Sequence, residues 1–143
     1  MKGRDGRYYM MAGKTTASHA PTIWTSADLL SWSVEYTLPL SLFNSIPGYY
    51  TEATWFGAPK MFYDEVSDQY MISWHSSQTE LVGKGEDEWR SMRTFYTLTS
   101  DFVSYTTPRQ LFNFTSEADK DMAQIDAIIR KIDGKYYAIV KDE

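Results

Sequence analysis

Three stretches of the chain share one alternation of polar and apolar positions: "DGRYYMMAG" (5–13), "SDQYMISWH" (67–75) and "DGKYYAIVK" (133–141). Each opens on a polar turn pair, Asp5-Gly6, Ser67-Asp68 or Asp133-Gly134, and runs into a tyrosine-led strand. Asp-Gly before an alternating run is a strong hairpin signal, because the turn needs backbone angles that these residues tolerate. Tyr8 and Tyr70 are 62 residues apart, and Tyr70 and Tyr136 are 66 apart.

A second pair lies between them. "TIWTSADLLSWSVEYTLPL" (22–40) and "TFYTLTSDFVSYTTPRQLF" (94–112) each give a strand, a Ser-x-Asp or Ser-Asp turn, an apolar pair and an outgoing strand. Asp28 and Asp101, 73 residues apart, hold the same place in the repeat, which predicts a turn-forming role for both. Each unit reads as four short strands, the third containing Trp24 or Tyr96 and the outer one ending near Leu40 or Phe112. No segment has a helical period, and "EADKDMAQ" (117–124) reads as a loop. Repeats of about 60 residues with four strands each predict an all-β fold built of propeller blades. The end of a first blade falls in 1–45, a second blade in 50–115, and the start of a third in 120–143. A closed propeller uses roughly four to eight blades, so the pattern is that of a partial one.

Composition narrows the function. Hydrophobic residues make up 43% and charged residues 23% of a 143-residue chain, enough for one folded domain. No run approaches the roughly 18 apolar residues of a membrane span, and "MKGRDGRYYMMAGK" lacks a signal-peptide core. A net charge of −5 without a basic block argues against a nucleic-acid partner, and nothing points to a membrane partner. The absence of cysteine excludes disulfides, thiolate metal sites and cysteine nucleophiles. Two histidines, His19 and His75, 56 residues apart, give little basis for a metal site. Aromatic residues reach 16%; they pack in sheets first, and they also stack on sugar rings.

The polar position that stands out is Asp126, inside Ile125, Ala127, Ile128 and Ile129, where a buried strand is predicted to begin. Desolvating a carboxylate costs several kcal/mol, so it calls for a partner or a chemical role.

Three stretches taken in order resemble the five-bladed propeller of glycoside hydrolase family 43. "APKMFYDEVSDQYMISW" (58–74) is similar to the family's second-blade segment, and "RTFYTLTSDFVSYTTPRQLF" (93–112) to the strand, Asp turn and proline-containing ending that follow. "IDAIIRKIDGKYYAIVKDE" (125–143) resembles the third-blade opening. The resemblance covers essentially the whole chain. It implies a glycosidase acting on arabinose- or xylose-containing plant polysaccharides or oligosaccharides, of the arabinofuranosidase, xylosidase or arabinanase type, with carbohydrate as partner. Family members use three acidic residues near the axis: a general base, an orienting aspartate that tunes pKa, and a glutamate general acid. By motif Asp126 matches the second. The base belongs to an Asp-Pro motif and the acid to a Glu-Gly-Pro motif, and neither is found in residues 1–143. Inverting hydrolysis needs both, about 6.5–9.5 Å apart, so the chain alone is expected to be inactive and to be a fragment of the enzyme. The resemblance also implies a secreted or periplasmic protein. Some members hold a calcium ion on the propeller axis; no residue here marks a metal site, and no cofactor is expected.

Other candidates carry two readings each. Trp55 and Phe56, near Ala58-Pro59, are either a sugar-stacking wall or an apolar plug between blades, and Gly57 stands where the family has its tryptophan. His75 at the end of its strand either hydrogen-bonds a sugar hydroxyl or caps a loop. Arg93 reaches an axial carboxylate or forms an ion pair between blades. Glu52 and the charged stretch "GKGEDEW" (83–89) read as solvated loop, and the tripeptide "NFT" (113–115) carries no weight. The missing carboxylates fit a second function equally, a non-catalytic carbohydrate-binding propeller; a purely structural β repeat leaves Asp126 unexplained. Open blade edges expose unpaired backbone and predict self-association.

Overall fold

The computed structural model describes residues 1–12, 20–49 and 56–142. Trp55 and Glu52 lie outside the described residues, as does the side chain of Phe56. Three antiparallel sheets follow one another along the chain. The first has the order β1 (Tyr8–Ala12), β2 (Thr22–Ser26) and β3 (Ser33–Thr37). Four strands make the second, in the order β4 (Phe56–Asp64), β5 (Gln69–Ser76), β6 (Arg93–Thr99) and β7 (Arg109–Gln110). The third pairs β8 (Ile125–Ile132) with β9 (Lys135–Lys141). β4 lies between β1 on one side and β8 on the other, so the leading strands of the sheets stand next to one another.

The repeat is visible in the register. Tyr8 pairs with Ser26 in the first sheet and Tyr70 pairs with Thr99 in the second, and each hydroxyl residue opens the same turn. Ser26 Oγ accepts the amides of Asp28 and Leu29 while Asp28 Oδ1 accepts those of Leu30 and Ser31, at 2.8–3.2 Å. Thr99 Oγ1 and Asp101 Oδ1 do the same for Asp101, Phe102, Val103 and Ser104, at 2.8–3.3 Å. The motif is therefore Thr99-x-Asp101 rather than the Ser100-Asp101 pair expected from sequence. Leu29 (φ 68°) and Phe102 (φ 56°) take the left-handed conformation in these turns. Accepting the Ser31 and Leu30 amides holds the Asp28 carboxyl below its ordinary range, and the Ser104 and Val103 amides lower Asp101 likewise.

The main core lies between the first and second sheets. Tyr9, Ile23, Phe43, Tyr70, Ile72, Trp74 and Phe95 are buried there, together with Phe102 from the turn. Aromatic packing is continuous: ring centroids are 5.5 Å apart for Tyr9–Tyr70, 4.5 Å for Tyr70–Phe102 and 4.9 Å for Tyr36–Phe102. Phe43 meets Trp74 edge-on at 4.7 Å. Burying side chains of this size contributes about 1.5–3 kcal/mol each, and edge or offset ring contacts add about 0.5–1.5 kcal/mol.

Residues 117–124 are irregular, as expected, but the chain is not free of helix. Short helices α1 (Ser41–Asn44) and α2 (Glu86–Arg90) and a 3-10 turn (Thr79–Leu81) interrupt the loops. The stretch 83–89, expected to be solvated loop, contains most of α2, where Glu86, Asp87 and Glu88 occupy the first turn and Arg90 the last. That order complements the helix dipole. Glu88 also accepts the Gly83 amide at 2.7 Å, which fixes the loop in front of the helix.

Candidate functional site

The site is built where β8 begins, against the ends of β4, β5 and β6. β8 pairs with β9 at Ile125↔Lys141 and resumes at Ile128↔Ile139, so a bulge occupies Asp126 and Ala127. β4 has the same irregularity against β5 between Gly57 and Lys60. Both bulges contain a non-glycine residue at positive φ, Asp126 at 53° and Ala58 at 39°. Such backbone costs roughly 1–3 kcal/mol and persists only where its surroundings impose it, and bulges are one way a strand re-aims a side chain. Ala58 thus holds in β4 the place that Asp126 holds in β8.

The surroundings that impose it are polar. Gln124 donates its amide to the Met92 carbonyl at 3.1 Å, and its own carbonyl accepts the Thr94 hydroxyl at 2.7 Å. The Asp126 amide donates to His75 Nδ1 at 3.4 Å, and Lys60 Nζ reaches Asp126 Oδ1 at 3.4 Å. From the far end of the hairpin, Asp142 Oδ1 accepts the Ala123 amide at 2.8 Å. β4, β5 and β6 each contribute one side chain to the backbone or side chains of Gln124 and Asp126, at the start of β8.

Asp126 itself is not desolvated. Its side chain is 45% exposed and that of Lys60 34%, whereas Ile125 and Ala127 on either side are buried. The expectation of a buried carboxylate is corrected by the bulge, which turns this one side chain outward from an apolar run. A half-exposed ion pair of this length is worth about 0–1 kcal/mol, so Lys60 contributes charge and direction more than stability.

His75, expected to meet a sugar hydroxyl or cap a loop, is only 5% exposed, and the contact at its Nδ1 is with the Asp126 backbone. The structure therefore brings Asp126 and His75 together. The Arg93 guanidinium donates to the Arg90 and Met92 carbonyls, each at 2.8 Å, and among the described residues it pairs with no carboxylate. Among the described residues, no group of three or more His, Cys, Asp or Glu side chains could hold a metal ion. Lys60, Thr94, Gln124 and Asp142 were not predicted as part of the site. Lys60 directly follows Ala58-Pro59, but it is 66 residues from Asp126 and no local sequence signal joins the two.

Beside this site lies a cavity of about 440 Å³ between β1, β4 and β8. Met10, Met11, Trp32, Met61 and Ile128 form much of its wall, and Lys60 and Arg130 are the cations on it. Residues 1–3 run antiparallel to the start of β1, with the Met1 carbonyl accepting the Tyr9 amide at 2.7 Å. A second polar cluster ties the sheets together farther along: Lys131 Nζ and Tyr136 Oη both donate to Asp64 at 2.9 Å. The Lys131 hydrogen bond, then that of Ser67, holds the Asp64 carboxyl well below its usual range.

Comparison with solved structures gives an exo-β-1,3-galactanase from Phanerochaete chrysosporium with galactose, at a TM-score of 0.62 and 14% identity over 99% of this chain and 31% of that one. A glutamate-to-alanine variant of that enzyme with β-1,3-galactotriose matches at a TM-score of 0.60 and 15% identity, over 96% of this chain and 30% of that one. The chain therefore spans about a third of the length of the solved structures it matches. No curated protein matches its sequence. The fold is all-β, part of a β-propeller, with one four-stranded sheet between two incomplete ones. The sequence matches, over residues 3–143, the glycoside hydrolase family 43-related model, described as a probable glycosyl hydrolase domain, and the chain belongs to that family.

Proposed function

We propose that this chain is the Asp126-bearing part of a longer inverting glycosidase that cleaves arabinose- or xylose-containing plant polysaccharides or oligosaccharides. The observation that carries the reading is the half-exposed Asp126 carboxylate, turned out of an apolar strand by a left-handed bulge and held by three neighbouring strands. A carboxylate fixed in this way can raise the pKa of a nearby acid and orient it, since a second negative charge disfavours ionisation. Lys60 Nζ, 3.4 Å from Asp126 Oδ1, sets the direction in which the carboxylate points. Trp55 and Phe56 supply apolar surface for the sugar ring, and His75 acts from behind Asp126.

A galactose-containing glycan is the second reading for the substrate, favoured by the fold shared with the exo-β-1,3-galactanase. Residues 1–143 contain no assigned general base or general acid, so the chain alone is expected not to turn over. Its third sheet exposes Tyr136, Tyr137 and Ile139, and the chain is expected to self-associate through this unpaired edge.

The test is release of product from aryl α-arabinofuranosides, β-xylosides and β-galactosides. It compares the chain with a form extended by the flanking coding sequence. The extended form should cleave one class, and Asp126→Asn in it should lower kcat about 100-fold, because the general acid loses the neighbouring charge that raises its pKa and orients it. Cleavage that survives Asp126→Asn would overturn the assignment. Sugar binding without cleavage by the extended form would make it a carbohydrate-binding propeller.

A further inference from the structure

We infer that His75 is a positioning residue for Asp126: its Nδ1 takes the Asp126 amide proton and thereby fixes the left-handed bulge that aims the carboxylate. The inference rests on the reading of Asp126 given above, but its geometry stands apart from any reaction. The bulge breaks the β8–β9 ladder between Ile125 and Ile128, which leaves the Asp126 amide without a strand partner. A backbone N–H in a partly buried place needs an acceptor, and His75 Nδ1 lies 3.4 Å away on a ring that is 5% exposed. His75 pairs in register with Gly57 on one side, which has no side chain to compete for the space, and with Thr94 on the other. Thr94 donates to the Gln124 carbonyl at 2.7 Å. The adjacent pair therefore reads the lead-in backbone as a strand edge would, Thr94 as donor to residue 124 and His75 as acceptor from residue 126.

The arrangement fixes the chemistry of the ring. An accepting Nδ1 carries no proton, so His75 must be neutral and protonated on Nε2. Replacing the imidazole by an apolar side chain would orphan the amide and release the bulge. Asparagine, whose Oδ1 falls near the position of Nδ1, would keep the acceptor.

Nitrogen-15 NMR of the chain tests this without sugar or turnover. The expected result is an Nε2–H tautomer for His75 in the unaltered chain. In His75→Leu the Asp126 amide should shift and exchange about tenfold faster, as loss of one net hydrogen bond implies. His75→Asn should restore both. A proton on His75 Nδ1, or an Asp126 amide indifferent to His75→Leu in a folded chain, would overturn the inference. Should His75→Leu not fold, the tautomer and the His75→Asn spectrum still decide. Asp126→Asn in the extended enzyme bears on the glycosidase reading alone, so the two can fail separately.

Discussion

The middle sheet and the hairpin that follows it use the same kind of strand and reach opposite states of burial. β5 is buried along almost its whole length, with Tyr70, Ile72 and Trp74 in the core. β9 opens on the same turn-and-tyrosine pattern, yet Tyr136, Tyr137 and Ile139 are all more than half exposed. Alternation places a side chain on a face of the sheet; only a neighbouring sheet decides whether that face is dry. The hairpin is instead held by discrete polar contacts. The lead-in at Gln124 and Asp126 and the cluster of Lys131 and Tyr136 on Asp64 are the main ones. Hydrophobic packing sustains one region, and placement by hydrogen bonds the other.

The contrast can be broken most sharply by truncation. Trp74→Ala should cost about 3–5 kcal/mol in chemical denaturation, the range for a large buried aromatic, whereas Tyr137→Ala should change stability by less than about 0.5 kcal/mol. Equal effects would show that the hairpin is packed after all. A smaller loss, about 1–3 kcal/mol, is expected for Gly3→Ala. A methyl there would stand 2.6 Å from the Tyr70 hydroxyl and against the Tyr9 ring, so the aromatic seam between the first two sheets must move. Thr99→Val keeps the shape but leaves the Asp101 and Phe102 amides without their acceptor, for a loss of about 1 kcal/mol in thermal unfolding.

The gentlest probe is pH. Asp64, Asp28 and Asp101 all have lowered carboxyl pKa values in the folded state. Their contribution is fully present above the ordinary carboxylate pKa of about 4 and is lost as pH falls below it. Urea midpoints measured from pH 6 downward should decline below about pH 4, and Asp64→Asn should flatten that decline. An unchanged profile in Asp64→Asn would remove Asp64 from the hairpin's support.

What could be read from the sequence divides along the same line. The tyrosine strands and the Asp28 and Asp101 turns are local chemistry, set by residues within a few positions of one another, and they are found where the pattern puts them. α2 escaped because five residues with three leading acids show no apolar period. The support of Asp126 escaped for a different reason: Lys60 is 66 residues away and His75 is 51, and nothing local links them. Asp126 itself drew notice as a charge among isoleucines. Its exposure could not be foreseen, because Ile125-Asp126-Ala127 reads as plain strand and hides a bulge that only the Ile125–Ile128 register reveals.

The most direct test of the central claim, that the bulged Asp126 and its neighbours form part of a sugar site, is amide NMR of the purified chain. The titrants would be arabino-, xylo- and β-1,3-galacto-oligosaccharides in turn. The account predicts saturable shifts from one of them, centred on Ala58, Lys60, His75 and Asp126 and abolished by Asp126→Ala. Saturable shifts confined to the exposed face of β9, or none from any of the three sugars, would contradict it.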